Sequence, residues 1–122
     1  GLFDMVLIKD NHIDAAGGIT QAVDKVRARW GNKYKIEVET RNLQEVKEAI
    51  AAGADIIMLD NMDDETMKKA VELINKKALV EASGNMTLER IKSVAQTGVD
   101  FISFGELTNS VKAFDFSLKE VK

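Results

Sequence analysis

Five short apolar runs alternate along this chain with stretches whose apolar residues recur at helical spacing. That alternation leaves little room for anything but βα units building a parallel sheet. Strands are expected near residues 5–9, 34–40, 55–60, 78–83 and 100–104. Between them Ile19, Val23, Val26 and Trp30 fall on one helical stripe, as do Leu43, Val46 and Ile50, then Met67, Val71 and Ile74, then Leu88, Ile91 and Val94. Each stripe can cover a sheet face. Asn42 with Glu45 three residues on predicts a capping box, and Asp63-Asp64-Glu65 suits the positive end of a helix. Lys76-Lys77 suits a negative end, and Gly31, Gly53 and Gly98 stand where C-caps are expected.

The chain echoes itself at twice the unit length. Ala51-Ala52-Gly53-Ala54-Asp55-Ile56-Ile57 returns 45 residues later as Gln96-Thr97-Gly98-Val99-Asp100-Phe101-Ile102. Such a repeat favours an α/β barrel made of similar pieces over an open nucleotide-binding sheet. Five strands do not close an eight-stranded barrel of roughly 250 residues, so the expected fold is α/β, with parallel βα repeats forming about half of a TIM-like incomplete barrel.

Strand parity then picks out side chains. If Ile36 and Val38 pack on the helices, Glu37 and Glu39 point into the barrel. The same parity turns Leu7 and Lys9, Met58 and Asp60, Glu81 and Ser83, and Ser103 and Gly105 inward. The last inward residues, Lys9, Glu39, Asp60, Ser83 and Gly105, form an expected ring at the C-terminal mouth, where barrel enzymes carry their chemistry. Inward carboxylates are costly unless a lysine, a metal or a ligand answers them. For each acid alone, a salt bridge to Lys9 or a solvated rim position is the plainer reading.

Ser83-Gly84-Asn85 leads into a helix expected near Thr87, and Phe104-Gly105-Glu106 precedes another expected short helical stretch. Backbone N–H groups in such turns can cradle an anion, although each alone is also an ordinary βα turn. His12, in the first loop, is either a base or anion ligand or a capping residue. With no cysteine and no second histidine, a tight transition-metal site has no ligands, whereas Glu39 and Asp60 offer oxygens to Mg²⁺ through water and substrate.

A net charge of −3 gives no basic face for nucleic acid, and no apolar run approaches the roughly 20 residues of a membrane span. A cysteine-free chain fits a reducing cytoplasm. The opening Gly1, running at once into a strand, points to a piece of a longer or processed protein.

Gly1-Leu2-Phe3-Asp4-Met5-Val6-Leu7-Ile8-Lys9-Asp10-Asn11-His12, Ile36-Glu37-Val38-Glu39, Leu59-Asp60-Asn61, Glu81-Ala82-Ser83-Gly84-Asn85 and Thr97-Gly98-Val99-Asp100-Phe101-Ile102-Ser103-Phe104-Gly105 together resemble the quinolinate phosphoribosyltransferase family, in order and along essentially the whole chain. The resemblance implies that residues 1–122 are the C-terminal part of the barrel domain, with an N-terminal domain and the first barrel strands elsewhere. It implies phosphoribosyl transfer from phosphoribosyl pyrophosphate to quinolinate with decarboxylation, giving nicotinate mononucleotide for NAD biosynthesis, with Mg²⁺, in a homodimer or higher oligomer. By the same resemblance Glu39 and Asp60 hold ribose hydroxyls and Mg²⁺-linked oxygens, and Lys9 meets the pyrophosphate or a substrate carboxylate. Ser83, Gly84, Asn85 and Gly105 cradle the 5′-phosphate, with His12 and Asn109 as further substrate-binding candidates. Family members often carry His where Asn109 stands and a small residue where Glu106 stands. The basic cluster for quinolinate lies upstream in the family and across the dimer, so this chain alone is expected not to turn over. Other phosphate-binding barrel enzymes, a family homologue with another substrate, and a non-catalytic half-barrel that self-associates through open sheet edges are the competing readings.

Overall fold

The computed structural model describes residues 4–104 and 109–113. In chain order the elements are β1 (Met5–Ile8), α1 (Asp10–Ala16), α2 (Ile19–Trp30), β2 (Lys35–Thr40), α3 (Leu43–Ala52), β3 (Ile56–Asp60), α4 (Asp64–Ile74), β4 (Leu79–Ser83), α5 (Leu88–Val94), β5 (Phe101–Phe104) and β6 (Asn109–Lys112). The strands form one sheet in sequence order. The first five are parallel, which is the arrangement of a (βα) barrel segment.

Period-2 alternation sorts the strands into two faces. Ile8, Ile36, Val38, Ile57, Leu59, Val80, Ala82 and Ile102 share one core with Ile19, Val23, Val46, Met67, Ile74 and Val94 of the helices. Ile56, Met58 and Phe101 are also buried but lie outside that cluster, on the face shared with Glu37, Glu81 and Ser103. The inward parity read from Glu37 and Glu39 therefore holds.

Helix starts follow the local chemistry. Asn42 Oδ1 accepts from the Glu45 N–H at 2.9 Å, Asp63 Oδ1 from Thr66 N–H at 2.8 Å, and Thr87 Oγ1 from Arg90 N–H at 3.2 Å. The expected capping box at Asn42 is half made, because the Glu45 carboxylate takes the Arg41 N–H instead, at 2.7 Å. Gly53 ends α3 in the left-handed region at φ 82°, and Gly31 caps α2.

Five expectations are corrected. His12 does not sit in a loop, because Asp10–Ala16 forms a helix that Lys9 opens. Trp30 is exposed at the end of α2 and stacks edge-on against Tyr34, with ring centroids 5.8 Å apart, rather than covering the sheet. Gly98 is not a helix cap. Ala95 ends α5, and Gly98 (φ +100°) lies in the following turn, where a Cβ would sit 3.0 Å from Val71 Cγ1. Lys76-Lys77 falls beyond α4, which Asn75 closes at φ 47°. Downstream of Phe104 there is a sixth strand beyond the five expected, β6, which pairs antiparallel so that Ile102 faces Val111 and Phe104 faces Asn109, while the stretch directly after Phe104, where a helix is expected to start, lies outside the described residues.

The 45-residue echo has a structural cause. Asp55 donates its N–H to Ile36 O and accepts the Ile36 N–H on Oδ2, both at 2.9 Å. Asp100 treats Val80 the same way, with N–H to O at 2.9 Å and N–H to Oδ2 at 2.8 Å. Each aspartate thus clamps the start of the preceding strand, and Asp55 also holds Arg27 at 3.0 Å. Asp55→Ala leaves the Ile36 N–H and the Arg27 guanidinium without that carboxylate. A loss of about 2 kcal/mol is expected in denaturant unfolding, with substrate affinity unchanged because the clamp lies at the opposite end from the mouth.

Candidate active site

The C-terminal ends of the parallel strands carry the polar set, but not in a flat ring. Asp60 pairs in register with Ser83, whereas Glu39 is level with Met58, one layer lower. Lys9 follows directly on the Ile8 to Val38 pair and so stands abreast of Glu39. Stagger of this kind accompanies the strand tilt of barrels. It brings Glu39 within electrostatic reach of Asp60 and of Asp10 on α1.

The mouth is acidic and partly shielded. Burial pushes the Glu39 carboxyl above its ordinary value, and the charges of Asp60 and Asp10 push it further, against the pull of Lys9 and Arg41. Asp60 is raised by burial and then by Asp10, with Arg41 opposing. Asp60 does not cap α4. Asp63 does that, and the cap holds the Asp63 carboxyl below its usual value. Among the described residues Lys9 makes no ion pair, so the two mouth carboxylates are not accounted for as structural salt bridges. Arg41 pairs with Asp10 at 3.4 Å and Glu45 at 3.2 Å.

The loops after β3 and β4 interlock. Asn61 adopts a left-handed conformation (φ 52°), and its N–H donates to Ser83 O at 3.0 Å. Its side-chain oxygen lies over Gly84 (φ +134°), where any Cβ would collide with it, so glycine is required at that turn. A cavity of about 310 Å³ opens beside them, lined by Asn61, Asp63, Ser83, Asn85 and Arg90. A larger one, about 470 Å³, lies at the strand starts among Lys35, Asp55, Lys76 and Asp100, where both aspartates are already engaged as clamps.

His12 is exposed on α1, and its Nδ1 accepts the Lys9 N–H at 3.3 Å, which is the capping arrangement. Its ring borders an apolar groove along β1, with Val6, Ile8 and Val26. Gly105 and Glu106 lie outside the described residues. Asn109 is described by its backbone alone, opposite Phe104 at the rim of the sheet.

Below the mouth the structure assembles a group that parity turned inward without pairing its members. Glu37 and Glu81 share a hydrogen bond, and the Ser103 hydroxyl donates to Glu81 Oε2. Glu37 is 1% exposed, and among the described residues its Oε2 has no hydrogen-bond partner. Burial, then the hydrogen bond and charge of Glu81, push the Glu37 carboxyl up to about 9, so it is a neutral acid at pH 7. In register Glu37 is level with Ile56 and Leu79, two residues short of Glu81, so tilt across two strands is what joins the pair.

Glu39 and Asp60 suit Mg²⁺ in one respect, a crowded pair of carboxylates whose ionised forms a cation would favour. Among the described residues no three acidic or imidazole groups converge tightly enough to cage a metal. The donor set therefore fits an ion that keeps waters and substrate oxygens.

An α/β barrel segment with polar residues at its strand C-termini belongs to the large class of barrels that do chemistry at that end. Within that class the assignment is specific. The chain belongs to the family described as quinolinate phosphoribosyl transferase, C-terminal domain, whose model matches residues 1–119. It is 53% identical to the chloroplastic nicotinate-nucleotide pyrophosphorylase [carboxylating] of Arabidopsis thaliana, over 98% of this chain and 39% of that protein. It is 50% identical to a probable nicotinate-nucleotide pyrophosphorylase [carboxylating] of Synechocystis, over 100% of this chain and 42% of that one. The solved nicotinate-nucleotide pyrophosphorylase of Francisella tularensis superposes with a TM-score of 0.81 at 49% identity, covering 92% of this chain and 40% of its own. This chain thus spans about two fifths of the length of these relatives. A thiamine phosphate pyrophosphorylase from Pyrococcus furiosus, 23% identical with a TM-score of 0.68, shares the fold.

Proposed function

We propose that this chain is the phosphoribosyl-binding part of a longer carboxylating nicotinate-nucleotide pyrophosphorylase, a pentosyltransferase of NAD biosynthesis. That enzyme joins quinolinate to phosphoribosyl pyrophosphate and releases pyrophosphate and CO₂. The observation that carries the reading is the meeting of Glu39 and Asp60, which make no ion pair among the described residues, beside the Gly84 turn in a chain of this family.

Departure of pyrophosphate leaves positive charge on the ribose ring. Carboxylates held beside the sugar favour that charge more in the transition state than in the ground state, which is the condition for acceleration. Asp60 and Glu39 take this role and hold the ribose hydroxyls. Lys9 meets the departing pyrophosphate or a substrate carboxylate, while Ser83, Gly84, Asn85 and Gly105 receive the 5′-phosphate, with Asn109 and His12 at the edge of the site. Mg²⁺, held through water by Glu39 and Asp60, would supply charge to the pyrophosphate oxygens.

Two cations, Lys9 and Arg41, face three carboxylates at the described mouth, Asp10, Glu39 and Asp60. Quinolinate brings two more negative charges, so its recognition needs cations from outside this chain, from the remainder of the subunit and from a second subunit of a homo-oligomer. We place the reaction in the cytoplasm, the compartment that a cysteine-free chain fits, although the Arabidopsis relative is named as chloroplastic. Among the described residues no helix is long and apolar enough to cross a membrane.

Steady-state assay of nicotinate mononucleotide formation tests this in two proteins. The longer enzyme is expected to turn over and the 122-residue chain to show none. Robust turnover by the chain alone would refute the need for outside cations, and an inactive longer enzyme would refute the assignment.

A further inference from the structure

Arg90 has no place in the chemistry described above, yet it joins the two loops that carry it. It stands in the first turn of α5, just beyond Ser83-Gly84-Asn85. From there its guanidinium reaches back to the preceding βα unit, where one nitrogen donates to Met62 O at 2.6 Å and the other pairs with the Asp64 carboxylate in the first turn of α4. Asp60 and Asn61 lie immediately before those two acceptors. On the inner side the same loops are tied by Asn61 N–H to Ser83 O at 3.0 Å and by the Asn61 side chain lying over Gly84. The cavity of about 310 Å³ lies between these ties, and Arg90 forms part of its wall.

From this arrangement we infer that Arg90 is a positioning residue that locks the β3–α4 and β4–α5 loops into one unit and so sets the distance between the sugar-binding carboxylate Asp60 and the phosphate-binding turn at Gly84. Its ligand is the ribose 5-phosphate moiety, which must be gripped at both ends at once. The inference rests on the proposed function for the identity of the substrate, but the geometry of the clamp does not depend on it. A forked guanidinium is needed because a carbonyl and a carboxylate lie on different parts of the loop. Lysine offers a single ammonium and can satisfy one of them well. Placement errors of about 1 Å between gripped groups are costly, so loosening the clamp acts on the phosphoribosyl substrate and leaves quinolinate untouched.

The test uses the longer enzyme with Arg90→Met, Arg90→Lys and Asp64→Asn, the last removing the ionic arm while keeping the Met62 bond. The expected result for Arg90→Met is a rise of about tenfold in the KM for phosphoribosyl pyrophosphate and in the Kd of ribose 5-phosphate measured by calorimetry, with the KM for quinolinate unchanged. Arg90→Lys and Asp64→Asn should fall between Met and wild type, and added ethylguanidinium should restore part of the Arg90→Met loss. The inference is overturned if both substrate KM values rise together in step with a lowered melting temperature, if ribose 5-phosphate binds equally well to wild type and Arg90→Met, or if Asp64→Asn behaves as wild type. An enzyme that binds ribose 5-phosphate in an Arg90-dependent way but makes no nicotinate mononucleotide would refute the proposed function and leave the clamp standing.

Discussion

Asp60→Asn in the longer enzyme is expected to lower kcat on the order of 100-fold while the protein stays folded. Asp60 ends a strand whose other residues, Ile56 to Leu59, are all buried, and aspartate is a poor strand former, so sheet formation has no use for it there. The competing explanation, that it caps the next helix, is removed by the structure, because Asp63 makes that bond to Thr66. In the proposed function its role is charge. Asparagine keeps the size and most of the hydrogen-bonding capacity but cannot stabilise a cationic sugar, and groups of this kind contribute about 3 kcal/mol to the transition state. The pH profile gives a second reading. Because burial and neighbouring carboxylates raise both Asp60 and Glu39, the acid limb of kcat should lie at higher pH than that of a free carboxylate, and it should change shape in the variant. A wild-type kcat in Asp60→Asn, with an unchanged melt, would remove the residue from the site.

The second large effect concerns stability, and its sign follows from Glu37. In the unfolded chain this carboxyl has its ordinary value of 4.5, and in the folded state it is pushed up to about 9. Between those values the folded state holds a proton that the unfolded state has released. Stability therefore declines as pH rises through that window, by at most about 1.4 kcal/mol per pH unit. Glu37→Gln preserves a donor to Glu81 and has no proton to lose. Its stability should be flat where that of the wild type falls, leaving the variant ahead by about 3 kcal/mol at pH 8 and level with or below wild type near pH 5. Denaturant unfolding of both forms across pH 5–9 measures this. If Glu37→Gln is instead the less stable form at pH 8, a cation from beyond the described residues meets Glu37 and keeps it ionised.

Much of this could be read directly from the residues. All five parallel strands lie within a residue or two of their expected bounds, and the inward parity of Glu37, Glu39, Asp60, Glu81 and Ser83 follows from a strict period of two. The Asp63 cap and the Gly53 stop were equally legible. These are local consequences of backbone geometry, alternation and side-chain reach, which a stretch of sequence carries within itself. His12 escaped for a related reason. Its helix is short, at seven residues, and has one buried apolar position, Ile13, so no stripe announces it. β6 escaped because its pairing with β5 is a tertiary choice that four residues with weak alternation do not disclose.

The tertiary structure decided which of the inward residues meet. Asp55 and Asp100 were visible as a repeat, but their common task, closing a two-bond clamp on the strand before, depends on where Ile36 and Val80 arrive. Glu37 and Glu81 were both turned inward by parity, yet they lie on strands separated by β3 and on different levels of the register, and only the tilt of the sheet makes them neighbours. The same tilt sets Glu39 toward Asp60. No motif in the sequence marks Arg90, whose bridge to Met62 and Asp64 exists only because the fold brings the β3–α4 and β4–α5 loops together. Which side chains face the barrel, and which end of each strand they occupy, could be read from the residues alone, because alternation is a property of one strand. Which carboxylates become neighbours, as Glu37 and Glu81 or Glu39 and Asp60 do, depends on the fold, because stagger and tilt are properties of the whole sheet.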